Sequence, residues 1–360
     1  MPYNLSLNAI YFVVVLGLLV FVHEFGHFIV ARLSGVKVIT FSLGFGKKLL
    51  RWTRGETEYA ISAVPLGGYV KMLGESTDDV VSSEEQGRSF AHKPPFIRML
   101  IVFAGPFCNI LFAVVVFFAM FITGYPYPSS STRVGDVIKG EPAYEAGVRS
   151  GDIITRIDNT PVSKFTDIHD VIEKSGIRPI VVEVNRDGKI LLLTMTPRWG
   201  DDRNAFGEVT GKSLRIGVGR ALETKRDSFI DALPNAFLHT VDVTVLTVVG
   251  VGKLIKGSIS RKNLGGPIMI FNEVGKQAKL GLSYFLNLLA VISISLGIFN
   301  LFPIPILDGS HILFAAIELV VRRRISDRTV EFAQKVGLGI LICIMVLATF
   351  NDITRMFHIK

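Results

Sequence analysis

Long uncharged apolar runs constrain the fold of this chain more than any other feature. Met99 to Thr123 and Leu282 to Leu307 each run for 25 residues or more without a charged side chain. A helix needs about 20 apolar residues to cross the hydrocarbon core of a bilayer. Both runs are therefore predicted to be transmembrane helices, and a plain globular fold is excluded.

Two further runs complete the predicted set. Leu7 to Ala31 is apolar apart from three ionisable residues near its end, and the shorter Val336 to Phe350 is flanked by Lys335 and Asp352. The first run has neither the basic start nor the small-residue cleavage pattern of a signal peptide, so we expect it to be retained. The predicted fold is a polytopic α-helical membrane protein with about four transmembrane helices.

The basic residues are placed as membrane topology demands. The formal net charge is +8, but no basic stripe interleaved with aromatics indicates nucleic-acid binding, and none is expected. Excess Lys and Arg marks cytoplasmic loops, which predicts that both termini lie outside and that two basic loops lie in the cytoplasm. The first loop carries Lys37, Lys47, Lys48, Arg51, Arg54 and Lys71, and the second carries Arg322, Arg323, Arg324 and Arg328.

A soluble domain is predicted between the second and third spans. The order of short strands and helices from Arg133 to Arg198, with an Asp187-Gly188 hairpin turn, resembles a bacterial PDZ domain. A generic small β-rich domain is the alternative. PDZ domains bind extended peptides at a sheet edge, so a peptide ligand is a possible partner. The predicted divisions are 1–128, an N-terminal membrane half; 129–198, the PDZ-like domain; 199–281, a connecting region; and 282–360, a C-terminal membrane half.

The connecting region contains one ambiguous segment, Ala236 to Ile255. It is apolar but carries His239, Asp242 and Lys253. Three ionisable groups are costly in a transmembrane helix, and an added span would place the second basic loop outside. We therefore predict an amphipathic helix at the membrane interface, with a fifth span as the alternative.

The pentapeptide HEFGH, near the end of the run Leu7 to Ala31, contains the candidate catalytic residues. Residues four apart share a helix face, so His23 and His27 can bind one metal ion while Glu24 reaches the attacking water. The alternative to a metal site is a helix with paired polar residues at a solvated end. Ionisable groups inside a span are costly unless they are paired or bind metal, which favours a zinc hydrolase site.

A catalytic zinc site needs a third protein ligand and an open position. Asp308 follows the third run, where Pro303 and Pro305 break the helix near the depth predicted for HEFGH. His311 and Glu318 are rival ligands by chemistry alone. The two cysteines lie in different apolar runs, so a cysteine-based zinc site is not expected.

Several motifs in one order are similar to those of the site-2 protease family, specifically the bacterial regulator-of-sigma-E type. They are HEFGH, FSLGFGKKLLRW from Phe41, PLGGYVKMLGE from Pro65, AGPFCN from Ala104, the PDZ-like insertion, and NLFPIPILDGSH from Asn300. The resemblance implies that His23, His27 and Asp308 hold Zn²⁺ and that Glu24 is the catalytic base. It also implies substrate contacts from Asn300 and from a membrane-associated β-hairpin that carries Gly67, Gly68, Tyr69 and Val70.

The expected activity is intramembrane cleavage of single-pass membrane proteins already cut by another protease, such as an anti-sigma factor or a residual signal peptide. The PDZ-like domain would face the periplasm and the active site the cytoplasmic side, with lipid around the spans. Ser310 departs from the family's usual glycine, and one PDZ-like domain is recognisable where better-studied members have two. A metal transporter and a non-catalytic PDZ scaffold are the alternatives, although the second span lacks the acidic and histidine residues of a transport pathway.

Overall fold

The computed structural model describes residues 5–75, 81–258 and 265–358. The predicted divisions 1–128 and 199–281 therefore include short stretches outside the described residues. The chain forms two compact units. The residues Gly124–Arg226 form a strand-rich unit, and the chain on either side of them forms a mainly helical unit that contains the apolar runs.

The helices and strands are numbered in chain order. The helices are α1 (Leu5–Leu33), α2 (Pro95–Thr123), α3 (Pro142–Glu145), α4 (Phe165–Ser175), α5 (Phe229–Ile255), α6 (Pro267–Leu280), α7 (Leu282–Asn300), α8 (Asp308–Val321) and α9 (Asp327–His358). The strands are β1 (Val38–Arg54), β2 (Thr57–Met72), β3 (Tyr125–Pro128), β4 (Val134–Val137), β5 (Ile153–Ile157), β6 (Thr160–Pro161), β7 (Ile180–Arg186), β8 (Lys189–Met195), β9 (Arg198–Arg203), β10 (Val209–Arg215), β11 (Val218–Arg220) and β12 (Leu222–Lys225).

Within the described residues, α1, α2, α5, α7 and α9 are long and apolar enough to cross a membrane, judged by length and composition. α1, α2 and α9 contain three of the predicted spans, and α7 contains the fourth only as far as Asn300, seven residues short of its predicted end at Leu307. The chain is a multi-pass membrane protein with a strand-rich domain. The fifth, α5, contains the ambiguous segment. It lies beside α2, where the His239 ring is 4.6 Å from the Phe117 ring. The count of about four spans and the interfacial position of α5 stay predictions.

The third apolar run, Leu282 to Leu307, is helical only as far as Asn300 and then forms a break before the next helix. α7 ends at Asn300 and α8 begins at Asp308, as the prolines at 303 and 305 predict, because proline cannot continue the backbone hydrogen-bond ladder. Ile306, between them, has a φ of 94°, a region that β-branched residues rarely adopt. This strained residue lies two positions before Asp308, whose carboxylate enters the helical unit.

One part of β2 is an outer strand of the β1–β2 hairpin. Both strands are bent, and Phe41 pairs with Tyr59 on one side and with Val70 on the other. The end of β2, residues 68–72, is therefore an outer strand of this small sheet. Within the part of the chain that the structure describes, no further strand pairs with it. An outer strand of a sheet can pair with another extended chain.

The strand-rich unit is built around a four-stranded sheet in the order β6-β5-β7-β8, with all of its neighbours antiparallel. α3, α4, β5, β7, β8 and the Asp187-Gly188 turn lie where the sequence places them, and both turn residues have positive φ. The unit extends beyond 129–198, because β12 pairs with β3 and β11 pairs with β4. Its identity as a PDZ domain stays a prediction.

One buried carboxylate anchors this unit. Asp152 is 1% exposed, and both of its oxygens accept hydrogen bonds from Arg186, at 2.7 and 2.8 Å. Oδ2 also accepts the backbone N–H of Arg149 at 2.8 Å. Burial by itself raises the pKa of Asp152, but these hydrogen bonds outweigh it and hold the pKa below its ordinary value. The carboxylate is therefore charged and fully bonded to protein groups.

Candidate metal centre

The two histidines of HEFGH lie on one face of α1 and are buried. His23 and His27 are each 8% exposed, although the helix that carries them has many exposed apolar side chains. Their rings meet edge to face with centroids 4.8 Å apart. The two Nε2 atoms are 3.3 Å apart, so both lone pairs can be directed to a single point.

Asp308 brings the third donor to this point. It is the first residue of α8, and its Oδ2 lies 3.0 Å from Nε2 of His23 and 3.4 Å from Nε2 of His27. These donors form a group whose atoms all lie within 4.8 Å of one another. Oδ2 is buried, and none of its contacts in the described part of the chain has hydrogen-bond geometry.

The donor set fits zinc. Tetrahedral Zn²⁺ binds imidazole nitrogen and carboxylate oxygen at about 2.0–2.2 Å, which separates neighbouring ligand atoms by about 3.4 Å. The three separations of 3.0, 3.3 and 3.4 Å approach that value. A buried carboxylate oxygen without a hydrogen bond is costly unless a cation satisfies it. Three protein ligands also leave one position open for water or substrate.

The outer nitrogens of both imidazoles point to α2. Nδ1 of His27 lies 2.9 Å from the carbonyl oxygen of Ile101, to which it can donate its proton, leaving Nε2 free as a ligand. Nδ1 of His23 lies 3.0 Å from Nδ2 of Asn109. The carbonyl of Asn109 in turn accepts the hydroxyl of Ser293 on α7 at 2.7 Å. α2 thus supports both histidines from behind.

Glycines bring the helices close enough for these contacts. A Cβ at Gly105 would lie 2.3 Å from Nε2 of His27, and one at Gly26 would lie 2.3 Å from the backbone oxygen of Ala104. On the other side of α2, a Cβ at Gly297 would lie 2.8 Å from the backbone oxygen of Pro106. Small residues let membrane helices approach closely, and here they leave room for the His27 ring.

Glu24 lies between the metal-binding group and the outer strand of the hairpin. The backbone N–H of Val70 donates a hydrogen bond to its carboxylate. A Cβ at Gly68 would lie 3.0 Å from Cγ of Glu24 and 2.9 Å from the backbone oxygen of Ser42. Glycine at 68 therefore lets the outer part of β2 pass directly beside Glu24.

The other predicted substrate residues occupy the rim of this site. Gly67 lies against the Phe45 ring, where a Cβ would be 1.9 Å from the ring, and Tyr69 stacks on the same ring at 6.4 Å. Asn300 ends α7, and its amide nitrogen donates to the carbonyl of Leu296 at 3.0 Å. Asn300 is thus engaged within its own helix, and of the two hairpin glycines only Gly68 lies beside Glu24.

The rival ligands are used otherwise. His311 lines a cavity of about 550 Å³ next to α8 and is not part of the metal-binding group found among the described residues. Glu318 forms an ion pair with Arg98 of α2 and accepts the backbone N–H of Ile325 at 3.2 Å. Ser310, the departure from the family pattern, donates its hydroxyl to the carbonyl of Leu307 at 2.8 Å and leaves Asp308 in place.

No role was predicted for the supporting residues on α2, although the AGPFCN motif contains Gly105 and Asn109. Asn109, Gly105 and the carbonyl of Ile101 lie within a run selected for its lack of charge. A local signal existed, because Asn109 is an amide in an otherwise apolar span, and polar groups at membrane depth are costly and usually functional.

Two histidines four residues apart, an adjacent glutamate and a carboxylate from a second helix are the donor set of a zinc hydrolase, here carried by helices apolar enough to cross a membrane. A family model described as Peptidase family M50 matches residues 11–344. The chain belongs to this family, the site-2 protease family, as its motifs indicated. It is a zinc metalloprotease, and its metal is Zn²⁺.

The similar proteins agree with this assignment over nearly the whole chain. A Campylobacter jejuni protein named as a zinc metalloprotease is 36% identical, with 97% of this chain and 94% of that protein covered. The regulator of sigma E protease of Salmonella typhimurium is 32% identical, with 97% and 99% covered. The protease RseP of Yersinia pestis is 33% identical, with 96% and 98% covered. The Salmonella alignment runs over 448 positions, more than this chain's 360 residues, so that relative has segments that this chain lacks.

Proposed function

We propose that this chain is an intramembrane endopeptidase that cleaves single-pass membrane proteins during regulated intramembrane proteolysis. One observation carries the proposal. The only group of metal-binding geometry found among the described residues, His23, His27 and Asp308, is buried among helices apolar enough to cross a membrane. A peptide bond must therefore reach it from within the membrane or from near its surface.

In this proposal His23, His27 and Asp308 hold zinc and Glu24 is the general base. Zinc, when bound, supplies a Lewis acid that activates water and polarises the scissile carbonyl. Glu24 accepts the proton of the attacking water and delivers it to the leaving amide nitrogen. The N–H of Val70 orients the Glu24 carboxylate for both transfers.

The position of the outer part of β2 supports a second feature of the proposal, which is that the substrate is bound as an extended strand. A helical substrate hides its scissile carbonyl in internal hydrogen bonds, so the helix must unwind before attack. Gly68, Tyr69 and Val70 lie on an outer strand beside Glu24 with which no further strand pairs among the described residues, and an extended segment can add to such a strand. Asn300 would bind the substrate backbone from the opposite side after releasing Leu296.

The proposed setting is the bacterial inner membrane, with the centre near the cytoplasmic side and the PDZ-like domain in the periplasm. The basic loops after α1 and α8 support this orientation. The substrates proposed are anti-sigma factors or residual signal peptides first shortened by another protease. Two relatives named for regulating sigma E support the first class and a role in envelope stress.

Cleavage by purified protein tests the proposal. Wild type and Glu24→Gln are incubated in detergent with single-pass substrates, and products are mapped by mass spectrometry. We expect cuts within or next to the transmembrane segment, stopped by a zinc chelator. Glu24→Gln should keep its zinc and lose about 100- to 10,000-fold in rate, the usual contribution of a general base.

Glu56→Gln is the matched control. Glu56 lies on the same hairpin and pairs with Arg88 at the surface, so this variant should cleave normally. Cleavage by Glu24→Gln at the wild-type rate would refute the assignment of the base. Cuts confined to soluble loops far from the membrane would refute the intramembrane activity.

A further inference from the structure

The two histidines of the metal centre differ in how their outer nitrogens are held. For His27, a backbone carbonyl accepts the Nδ1 proton, and a carbonyl cannot act as a donor. This fixes the tautomer whose Nε2 lone pair is free. A metal-binding imidazole almost always donates its other N–H to such an acceptor.

His23 is held by a side-chain amide instead. In this structure Nδ2 of Asn109 donates to Nδ1 of His23 at 3.0 Å. That arrangement places the proton of a neutral His23 on Nε2, the atom that faces His27 and Asp308. A protonated Nε2 has no lone pair for a metal.

The side chain of Asn109 also contains an oxygen that can accept the Nδ1 proton of His23. Oδ1 of Asn109 is buried and has no hydrogen-bond partner among the described residues. A half-turn of the amide exchanges Oδ1 with Nδ2, so that Oδ1 accepts the Nδ1 proton and Nε2 becomes free. After the rotation Nδ2, instead of Oδ1, lacks a hydrogen-bond partner, so the rotation alone gains no hydrogen bond. The free energy of zinc binding to His23 is therefore what favours the rotated amide.

The geometry points to Asn109 as a positioning residue for the metal centre, whose amide oxygen holds His23 in the tautomer that binds zinc. Its backbone is fixed for this task. Asn109 is fully buried, its carbonyl accepts the Ser293 hydroxyl at 2.7 Å, and its Cβ would meet a side chain at Gly297. The inference rests on the ligand set proposed above.

Zinc affinity of the full-length protein in detergent, measured by competition with a chromophoric chelator, tests the inference. Asn109→Leu keeps the size of the side chain and removes the acceptor, and we expect about 10- to 100-fold weaker zinc binding, the usual effect of losing such a partner. Asn109→Asp keeps an acceptor at the same position and should bind zinc at least as tightly as wild type. This rescue separates hydrogen-bond acceptance from packing.

Two further variants make the outcomes distinct. Ser295→Ala removes a hydroxyl of α7 that donates to the carbonyl of Val291 within its own helix at 2.8 Å, away from Asn109, and it should leave zinc affinity unchanged. His23→Ala should abolish tight binding. Unchanged affinity in His23→Ala would refute the ligand set itself. With that variant impaired, wild-type affinity in Asn109→Leu, or equal losses in Asn109→Leu and Asn109→Asp, would overturn the role of Asn109 alone.

Discussion

The two units of this molecule each bury an aspartate, and the two aspartates are satisfied in opposite ways. In the strand-rich unit, Asp152 accepts three hydrogen bonds from Arg186 and Arg149. In the helical unit, Asp308 faces two imidazoles, and its buried Oδ2 has no hydrogen bond from any described residue. Protein groups hydrogen-bond to both oxygens of Asp152, whereas Oδ2 of Asp308 is left to bind a ligand.

The difference separates a structural charge from a functional one. A buried carboxylate held by a bidentate arginine stabilises a fold when the partners stay together, and removing one partner is costly. A buried carboxylate with unused lone pairs destabilises the metal-free protein and is retained because it binds something. Substitution of each aspartate by asparagine should therefore impair a different property.

The largest expected effect is the loss of zinc from Asp308→Asn. The variant keeps the shape of the side chain and removes the anionic ligand, leaving two imidazoles. Zinc content, measured by mass spectrometry of the purified protein, should fall from one per chain to below about 0.1, because catalytic zinc sites need three protein ligands. Hydrogen exchange in β5 and β7 should not change. Full zinc content in this variant would show that Asp308 is not a required zinc ligand.

The next effect is the destabilisation of the strand-rich unit by Asp152→Asn. Arg186 and the N–H of Arg149 would lose their charged acceptor, which destabilises the unit. In the intact protein, hydrogen exchange at Ile154 and Val182 should speed up while zinc content stays at wild type. Unchanged exchange would show that this ion pair contributes nothing, and a loss of zinc would show that the two carboxylates are not independent.

A smaller effect is expected from Gly105→Ala. The added methyl would lie 2.3 Å from Nε2 of His27, so the ring must move away from the other ligands. Zinc affinity should fall about 10- to 100-fold, comparable to the loss of a supporting partner. Gly252→Ala on α5, where a Cβ would meet nothing within 4 Å, is the matched control. Equal affinities in both variants would show that α2 does not shape the centre.

The smallest effect is a pH dependence confined to the strand-rich unit. The pKa of Asp152 is lowered in the folded state, so its stabilising contribution is complete well above the unfolded value of about 4 and is lost as the pH falls below it. Hydrogen-exchange protection of β5, corrected for the intrinsic pH dependence of exchange, should decrease below about pH 4. Asp152→Asn should show a weaker decrease, and an equal decrease in both proteins would assign the acid sensitivity to other groups.

Local patterns predicted much of the helical unit and part of the site. The spacing of His23 and His27 determines their common face, because a helix repeats every 3.6 residues. The prolines at 303 and 305 place the helix break, and thus Asp308, without reference to any other element. The Asp187-Gly188 turn likewise fixes the pairing of β7 and β8.

Contacts between distant segments could not be predicted in this way. The outer strand beside Glu24 depends on Phe41 pairing with both Tyr59 and Val70, and two alternative registers are not distinguishable from a single sequence. Likewise, β3 at the start of the strand-rich unit pairs with β12 at its end, so the two strands are far apart in the sequence. The role of Asn109 depends on α2 packing against α1, which the apolar composition of the two helices does not specify.

The central claim is that Asp308 and the two histidines leave their lone pairs for one zinc ion. X-ray absorption at the zinc edge of the purified full-length protein tests it most directly. We predict two imidazole nitrogens and further oxygen ligands, all at about 2.0–2.2 Å, and no sulfur near 2.3 Å, with this zinc signal lost from purified His27→Ala. A sulfur ligand, or an unchanged zinc signal in that variant, would contradict the claim.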